Sequence, residues 1–219
     1  YGGTNMALSK VDYNSLNVTP TASKALKWNS SADGFEAGDL GGSLVLLATE
    51  TASSSATISF TSDIDSTYKE YIFKFINIHP SADGEFFSFQ GNAAGGSGYN
   101  ETITSSQFRA QHDEGDTTGS VDYQTNGDQA QGTGFQPLGR TVGNGNDECI
   151  SGMLHLFDPS STTFVKNFIA NSNTYHQSDY SQNAYTAGYF NTTSAIDEIQ
   201  FKMASGNIDT GTIKMYGVT

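Results

Sequence analysis

The sequence predicts an all-β protein, an antiparallel β-sandwich of jelly-roll-like form with an extended N-terminal segment. Three observations predict it. Residues 55–90 hold three runs in which aromatic and β-branched side chains recur with the period of an extended chain. Eight or nine such runs recur along the 219 residues, with no credible amphipathic helix between them. Turn chemistry separates the runs, most clearly at Pro80-Ser81-Ala82-Asp83-Gly84.

Residues 1–42 are polar, and only the isolated anchors Leu16, Val18, Leu26, Trp28 and Phe35 stand out. Such a segment rarely builds its own core, so it is either disordered or ordered by packing on neighbouring subunits, and the second reading is favoured by the short strand it contains. Within it, Ala25–Asn29 reads as a short strand, closed by the turn Asn29-Ser30-Ser31-Ala32-Asp33-Gly34 ahead of Phe35. Leu26, Trp28 and Phe35 are therefore the candidate inter-subunit anchors. Asp39-Leu40-Gly41-Gly42 marks a hinge, and the β-sandwich domain is expected over residues 43–219, opening with Leu44-Val45-Leu46-Leu47.

Ala56, Ile58 and Phe60 alternate with Thr57, Ser59 and Thr61, the half-buried pattern of a strand with one side toward water. Tyr71, Phe73 and Phe75 alternate with Ile72, Lys74, Ile76 and Ile78, so both faces are largely apolar and the strand is expected to be central. With the run ending at Gln90, the spacing predicts three consecutive antiparallel strands. Residues 91–146 are rich in Gly, Gln, Asn and Asp and read as the loop-dominated part, too long to be structureless without a reason. Gly152–Phe157 and Phe164–Ala170 are predicted to form a hairpin across Asp158-Pro159-Ser160-Ser161. Further strands are predicted at 184–190, at 198–203 with Ile199, Phe201 and Met203 on one face, and at 212–218.

Composition narrows the function. With 23 acidic and 10 basic residues the formal charge is −13, and no Lys/Arg stripe offsets it, which argues against nucleic acid as a partner. Charged residues are only 15% of the chain, against roughly 25% in an average domain, so the surface is built from Ser, Thr, Asn, Gln and Gly. One cysteine, Cys149, excludes an intrachain disulfide and reads as a buried, inert thiol at a strand start. No apolar run is long enough for a helical membrane span, so membrane insertion is not expected.

Catalytic chemistry is not legible, and the chain is expected not to be an enzyme. His79, His112, His155 and His176 stand in separate contexts without zinc-ligand spacing, and neither a nucleophile elbow nor a Walker loop occurs. His155 reads as a hydrogen-bonded core or interface residue. The acidic loops His112–Asp116 and Asn144–Glu148 could offer oxygens to calcium, but neither matches a full calcium loop, and solvated turns are the favoured reading, with no cofactor expected. Tyr175, Tyr180, Tyr185 and Tyr189 sit among Asn, Ser, Gln and Thr, a composition that suits glycan contact and subunit packing equally.

Ser55–Gln90, together with Asp197-Glu198-Ile199-Gln200-Phe201 and the terminal stretch Ser205–Val218, resembles a β domain of virion structural proteins from marine and cyanobacterial tailed phages. Ala25–Phe35 is similar to the junction that often precedes the terminal domain of phage fibre proteins. The resemblance implies a tail-fibre or capsid-decoration protein at the virion surface. It further implies a homotrimer in contact with other virion proteins and with a host-surface polysaccharide for attachment. It implies no catalytic residues. The alternative reading is a lectin-like carbohydrate-binding module of a secreted bacterial protein.

Overall fold

The computed structural model describes residues 18–19, 24–38 and 43–219. They contain fourteen strands and no helix, and the chain divides into two compact units, Tyr1–Ser43 and Leu44–Thr219. The expected anchor Leu16 lies outside the described residues, whereas Val18 is buried.

In the first unit, β1 (Ala25–Trp28) and β2 (Phe35–Gly38) pair as an antiparallel hairpin. The predicted turn closes it: Asn29 N donates to Gly34 O at 3.0 Å, and Asn29 Nδ2 donates to Asp33 Oδ1 at 2.9 Å. Trp28 and Phe35 face each other across the pair, rings stacked at 4.4 Å, and Lys27 meets Glu36 at 3.3 Å. The second strand of this hairpin is absent from the sequence reading, because Phe35-Glu36-Ala37-Gly38 is too short to show a period.

The second unit is the antiparallel sandwich that the sequence predicts. Its strands are β3 (Leu44–Thr51), β4 (Ile58–Phe60), β5 (Glu70–Pro80), β6 (Glu85–Ala93), β7 (Ile103–Asp113) and β8 (Gly119–Tyr123). The remainder are β9 (Gln136–Val142), β10 (Ile150–Phe157), β11 (Lys166–His176), β12 (Tyr180–Phe190), β13 (Ile196–Met203) and β14 (Ile208–Val218). Eight strands run side by side in the order β3-β14-β5-β10-β11-β12-β7-β8, and four more in the order β4-β13-β6-β9. One residue pair, His176 with Val142, joins β11 to β9 and so links the two layers.

The three strands of residues 55–90 are present, but they do not pair with one another. β5 lies between β14 and β10 in the large layer, while β4 and β6 flank β13 in the small one. The reason is the aromatic face that β5 and β6 both carry. Two such faces are buried by opposing each other across the sandwich, and Phe75 meets Phe87 there at 5.2 Å. Phe201 of β13 sits among Phe60, Phe73, Phe87 and Phe89, with ring centroids 5.6–6.3 Å away, and forms the middle of the core.

The alternation in β5 also breaks, at Asn77. This residue adopts φ 50°, and there three residues of β5 oppose two of β10 and two of β14. The bulge shifts the phase, so Ile78 is buried on the same side as Phe75, whereas Ile76 is exposed. Ile78 therefore leaves the face that strict alternation assigns to it.

The polar stretch 91–146 lies more outside strands than within them, as its composition predicts, but it is not structureless: it forms β7, β8 and β9. Buried glutamines explain how so polar a segment is held. Gln90, fully buried, donates through Nε2 to Glu101 O, Thr133 O and Gly134 O at 2.8–3.2 Å. Gln136 donates to Gly127 O at 2.7 Å, and Gln107 to Pro137 O and Thr186 Oγ1 at 3.0 and 2.8 Å. Side-chain amides thus supply the hydrogen bonds that the irregular backbone of 124–135 lacks.

Two smaller expectations also change. The hairpin of β10 and β11 forms as predicted, but β11 begins at Lys166, leaving Phe164 outside the strand and 69% exposed. Cys149 is half-buried rather than buried, 3.9 Å from Asn77 Oδ1. Partial burial still raises its thiol pKa, which keeps it in the unreactive protonated form.

Candidate functional site

The predicted tyrosines lie on the two adjacent strands β11 and β12. Strand alternation places Tyr175, Tyr185 and Tyr189 on the outer face of the large layer, since Thr174, Thr186 and Phe190 beside them are buried in the interior. Tyr180, at the start of β12, belongs to the opposite face. The structure therefore puts three of the four on one face, spread along the strands, and it is Tyr175 and Tyr180 that line a common cleft.

Around Tyr185 the registers build a row that crosses five strands: Met153 opposes Asn171, Asn171 opposes Tyr185, Tyr185 opposes Phe108, and Phe108 opposes Tyr123. A second row, His155 to Ile169 to Ala187 to Ser106, runs alongside. Met153, Ile169, Tyr185, Phe108 and Tyr123 are all exposed, as is Val121 at 75%. Tyr185 and Phe108 stack at 5.0 Å with 11° between their planes. Over the small residues Ala187 and Ser106, between this stack and Ile169, lies a shallow cleft of about 180 Å³.

No carboxylate stands in either row. The acids at the margin are engaged: Glu70 Oε1 meets His155 Nδ1 at 2.5 Å, and the Tyr123 hydroxyl donates to Asp128 Oδ2 at 2.6 Å. In a chain of formal charge −13, this face stands out as a neutral, largely apolar stripe. Of its residues the sequence reading singled out Tyr185 and His155. Phe108, Val121 and Tyr123 fall inside the polar stretch read as loop, where the alternation of Ser120-Val121-Asp122-Tyr123 was the signal available.

A larger cleft of about 350 Å³ lies beyond the end of the stripe, lined by His112, Glu114, Asn173, Tyr175, Tyr180 and Ser181. The Tyr175 hydroxyl donates to Glu114 Oε1 at 3.0 Å and lies 3.5 Å from Asp179 Oδ1. Hydrogen bonding to Glu114 first, then desolvation and the negative charge around it, push its pKa up to about 12. Ser181 Oγ donates to Asn173 Oδ1 at 3.0 Å. Hydroxyl, amide and aromatic groups meeting in one concavity are the groups that recognise a polyhydroxylated ligand.

The acidic loops behave as turns. Asp113 accepts from the Thr117 hydroxyl, from Thr118 N at 2.6 Å and from Thr117 N at 2.9 Å, and these bonds, the hydroxyl's foremost, lower its pKa. Glu148 closes the other loop by accepting from Gly145 N. Among the described residues, no three His, Cys, Asp or Glu side chains converge to hold a metal ion. Also among the described residues, no helix is long and apolar enough to cross a membrane.

Leu26, Trp28 and Phe35, on the hairpin of the first unit, are exposed at 39%, 61% and 37%. Fold and surface together define an antiparallel β-sandwich with an apolar outer sheet face and an aromatic hairpin. The chain matches no protein-family model, no curated protein and no solved structure.

Proposed function

We propose that this chain is a structural component of a phage particle, a surface fibre or decoration subunit that presents a β-sandwich and serves host attachment. The observation that carries this reading is the neutral apolar stripe on the outer face of the large layer. Burial of such surface against another protein is favourable by about 25 cal/mol per Å². The exposed Trp28–Phe35 pair supports the same reading, because a two-stranded hairpin is marginal by itself and gains stability when its aromatic face is covered.

The geometry of the stripe favours protein over sugar as its occupant. With Tyr185 and Phe108 stacked face to face, each ring has one face covered by the other, which reduces the platform that a pyranose needs. A carbohydrate-binding role, whether in attachment or in a free lectin-like module, is favoured instead by the cleft at Tyr175 and Asn173.

Native lysate sedimented through a density gradient and probed for this chain tests the reading. The chain is expected with the particle fraction, and Phe108→Asp combined with Tyr185→Asp is expected to shift it to the soluble fraction. Recovery of the parent chain solely as free protein would overturn the reading. A glycan array on the purified chain, with Tyr175→Ala as control, then tests the cleft.

A further inference from the structure

Among the described residues the large layer ends at β8, and the hydrogen-bond phase of that strand makes it complementary to itself. Asp113 N donates to Thr118 O at 3.1 Å, and Gln124 N to Gln107 O at 2.8 Å. With the register running from His112 opposite Gly119 to Phe108 opposite Tyr123, antiparallel alternation turns the backbone groups of Ser120 and Asp122 toward β7. Those of Gly119, Val121 and Tyr123 therefore face the open edge.

Sheet edges are ordinarily protected by shortness, bulges or charge. β3, at the far end of the large layer, is bulged at Leu47 and carries Glu50; β4, at the edge of the small layer, has three residues. β8 has neither device. It contains no Lys and no Pro, its register is regular, and its one acid, Asp122, lies on the opposite face from Val121, where Arg109 Nε holds it at 3.4 Å.

We propose that β8 pairs, antiparallel and centred on Val121, with β8 of a second copy of this chain. In that register Val121 opposes its own equivalent, and Gly119 opposes Tyr123 of the second copy. The three outward-facing positions then exchange about six backbone hydrogen bonds. The tyrosine ring covers the bare glycine, a known stabilising pair in sheets. Ser120 opposes Asp122, a hydroxyl donor against a carboxylate, so no like charges meet.

The neighbouring registers are worse. Moving by two residues one way sets Asp122 against Asp122 of the second copy, which is repulsive, and moving the other way leaves Tyr123 unopposed. Pairing at Val121 joins two eight-stranded layers into one and carries the apolar outer face across the two-fold axis. The inference concerns the edge alone and stands whether or not that face meets a particle.

Sedimentation velocity of the full chain, as wild type and as Val121→Pro, tests it. The outward N–H of Val121 takes no part in pairing with β7, so proline is tolerated in the single chain while removing the central bonds. The wild-type assembly is expected to lose half its mass in Val121→Pro, with the circular dichroism spectrum unchanged.

Cross-linking tests the register. In a Cys149→Ser background, Val121→Cys is expected to form a disulfide-linked dimer on mild oxidation, because paired α-carbons lie about 5.5 Å apart. Gly119→Cys is not, because its two copies lie about 13 Å apart along the strands. A wild-type chain that sediments as a single copy, an unchanged mass in Val121→Pro, or equal cross-linking from both cysteines would each overturn the proposal.

Discussion

Asp113 shows how one side chain can hold a turn that the backbone alone would not. Its carboxylate takes the amides of Thr117 and Thr118 where β7 turns into β8, and those bonds favour the charged form. The folded-state pKa is thus depressed below its ordinary value of 3.8, so the contribution to stability is present above that value and is lost as pH falls through the lower folded one. Protection of the Thr117 and Thr118 amides, read by NMR as the exchange rate relative to the intrinsic rate at each pH, is expected to fall as the pH is taken below about 4. Asp113→Asn should exchange fast already at neutral pH, whereas an unchanged rate would remove the carboxylate from this role. Tyr71 works in the same local way: fully buried, its hydroxyl accepts from Asp65 N at 2.9 Å and donates to Asp65 O at 3.1 Å and to the Asp65 carboxylate at 3.2 Å, fastening the loop ahead of β5.

At the scale of the element, β5 decides most of the sandwich, and its bulge decides which side Ile78 fills. Asn77 tolerates the left-handed conformation at φ 50°, and its amide donates to Ser151 Oγ at 2.9 Å on β10. A β-branched residue does not tolerate it. Asn77→Val is expected to cost about 1–3 kcal/mol in chemical denaturation, and Asn77→Gly to stay within about 1 kcal/mol of the parent. Equal stability of the two variants would mean that the bulge is not held by backbone conformation. β7 and β12 show the converse case, since their buried sides carry Gln107, Gln182 and Thr186 in place of apolar residues. Here side-chain amides tie the strands together, Gln107 Nε2 donating to Thr186 Oγ1 and Gln182 Nε2 to Gln111 Oε1, although Gln107 Oε1 is left without a partner, and composition alone presents such residues as loop.

For the whole molecule, the buried cluster runs from Ala52 to Met215 and lies wholly within the second unit. A chain beginning at Leu44 is therefore expected to fold and to melt within about 4 °C of the parent, as read by thermal circular dichroism. A melting point lowered further would show that the hairpin segment contributes to the sandwich. The sequence by itself determined the class: alternation sets Tyr71, Phe73 and Phe75 on one strand face and Ile199, Phe201 and Met203 on another, and both of those faces are buried. It also marked Tyr175, Tyr180, Tyr185 and Tyr189 as contact candidates, of which all but Tyr180 lie on the outer face. Only the tertiary structure decided that β5 and β6 oppose each other instead of pairing, that residues 103–142 supply three strands, and that Phe108 and Tyr123 extend the row from Tyr185. The physical reason is that period-2 alternation is a property of one strand, readable within a few residues. Which strands become neighbours depends on aromatic faces and buried amides that meet across tens of residues of intervening chain.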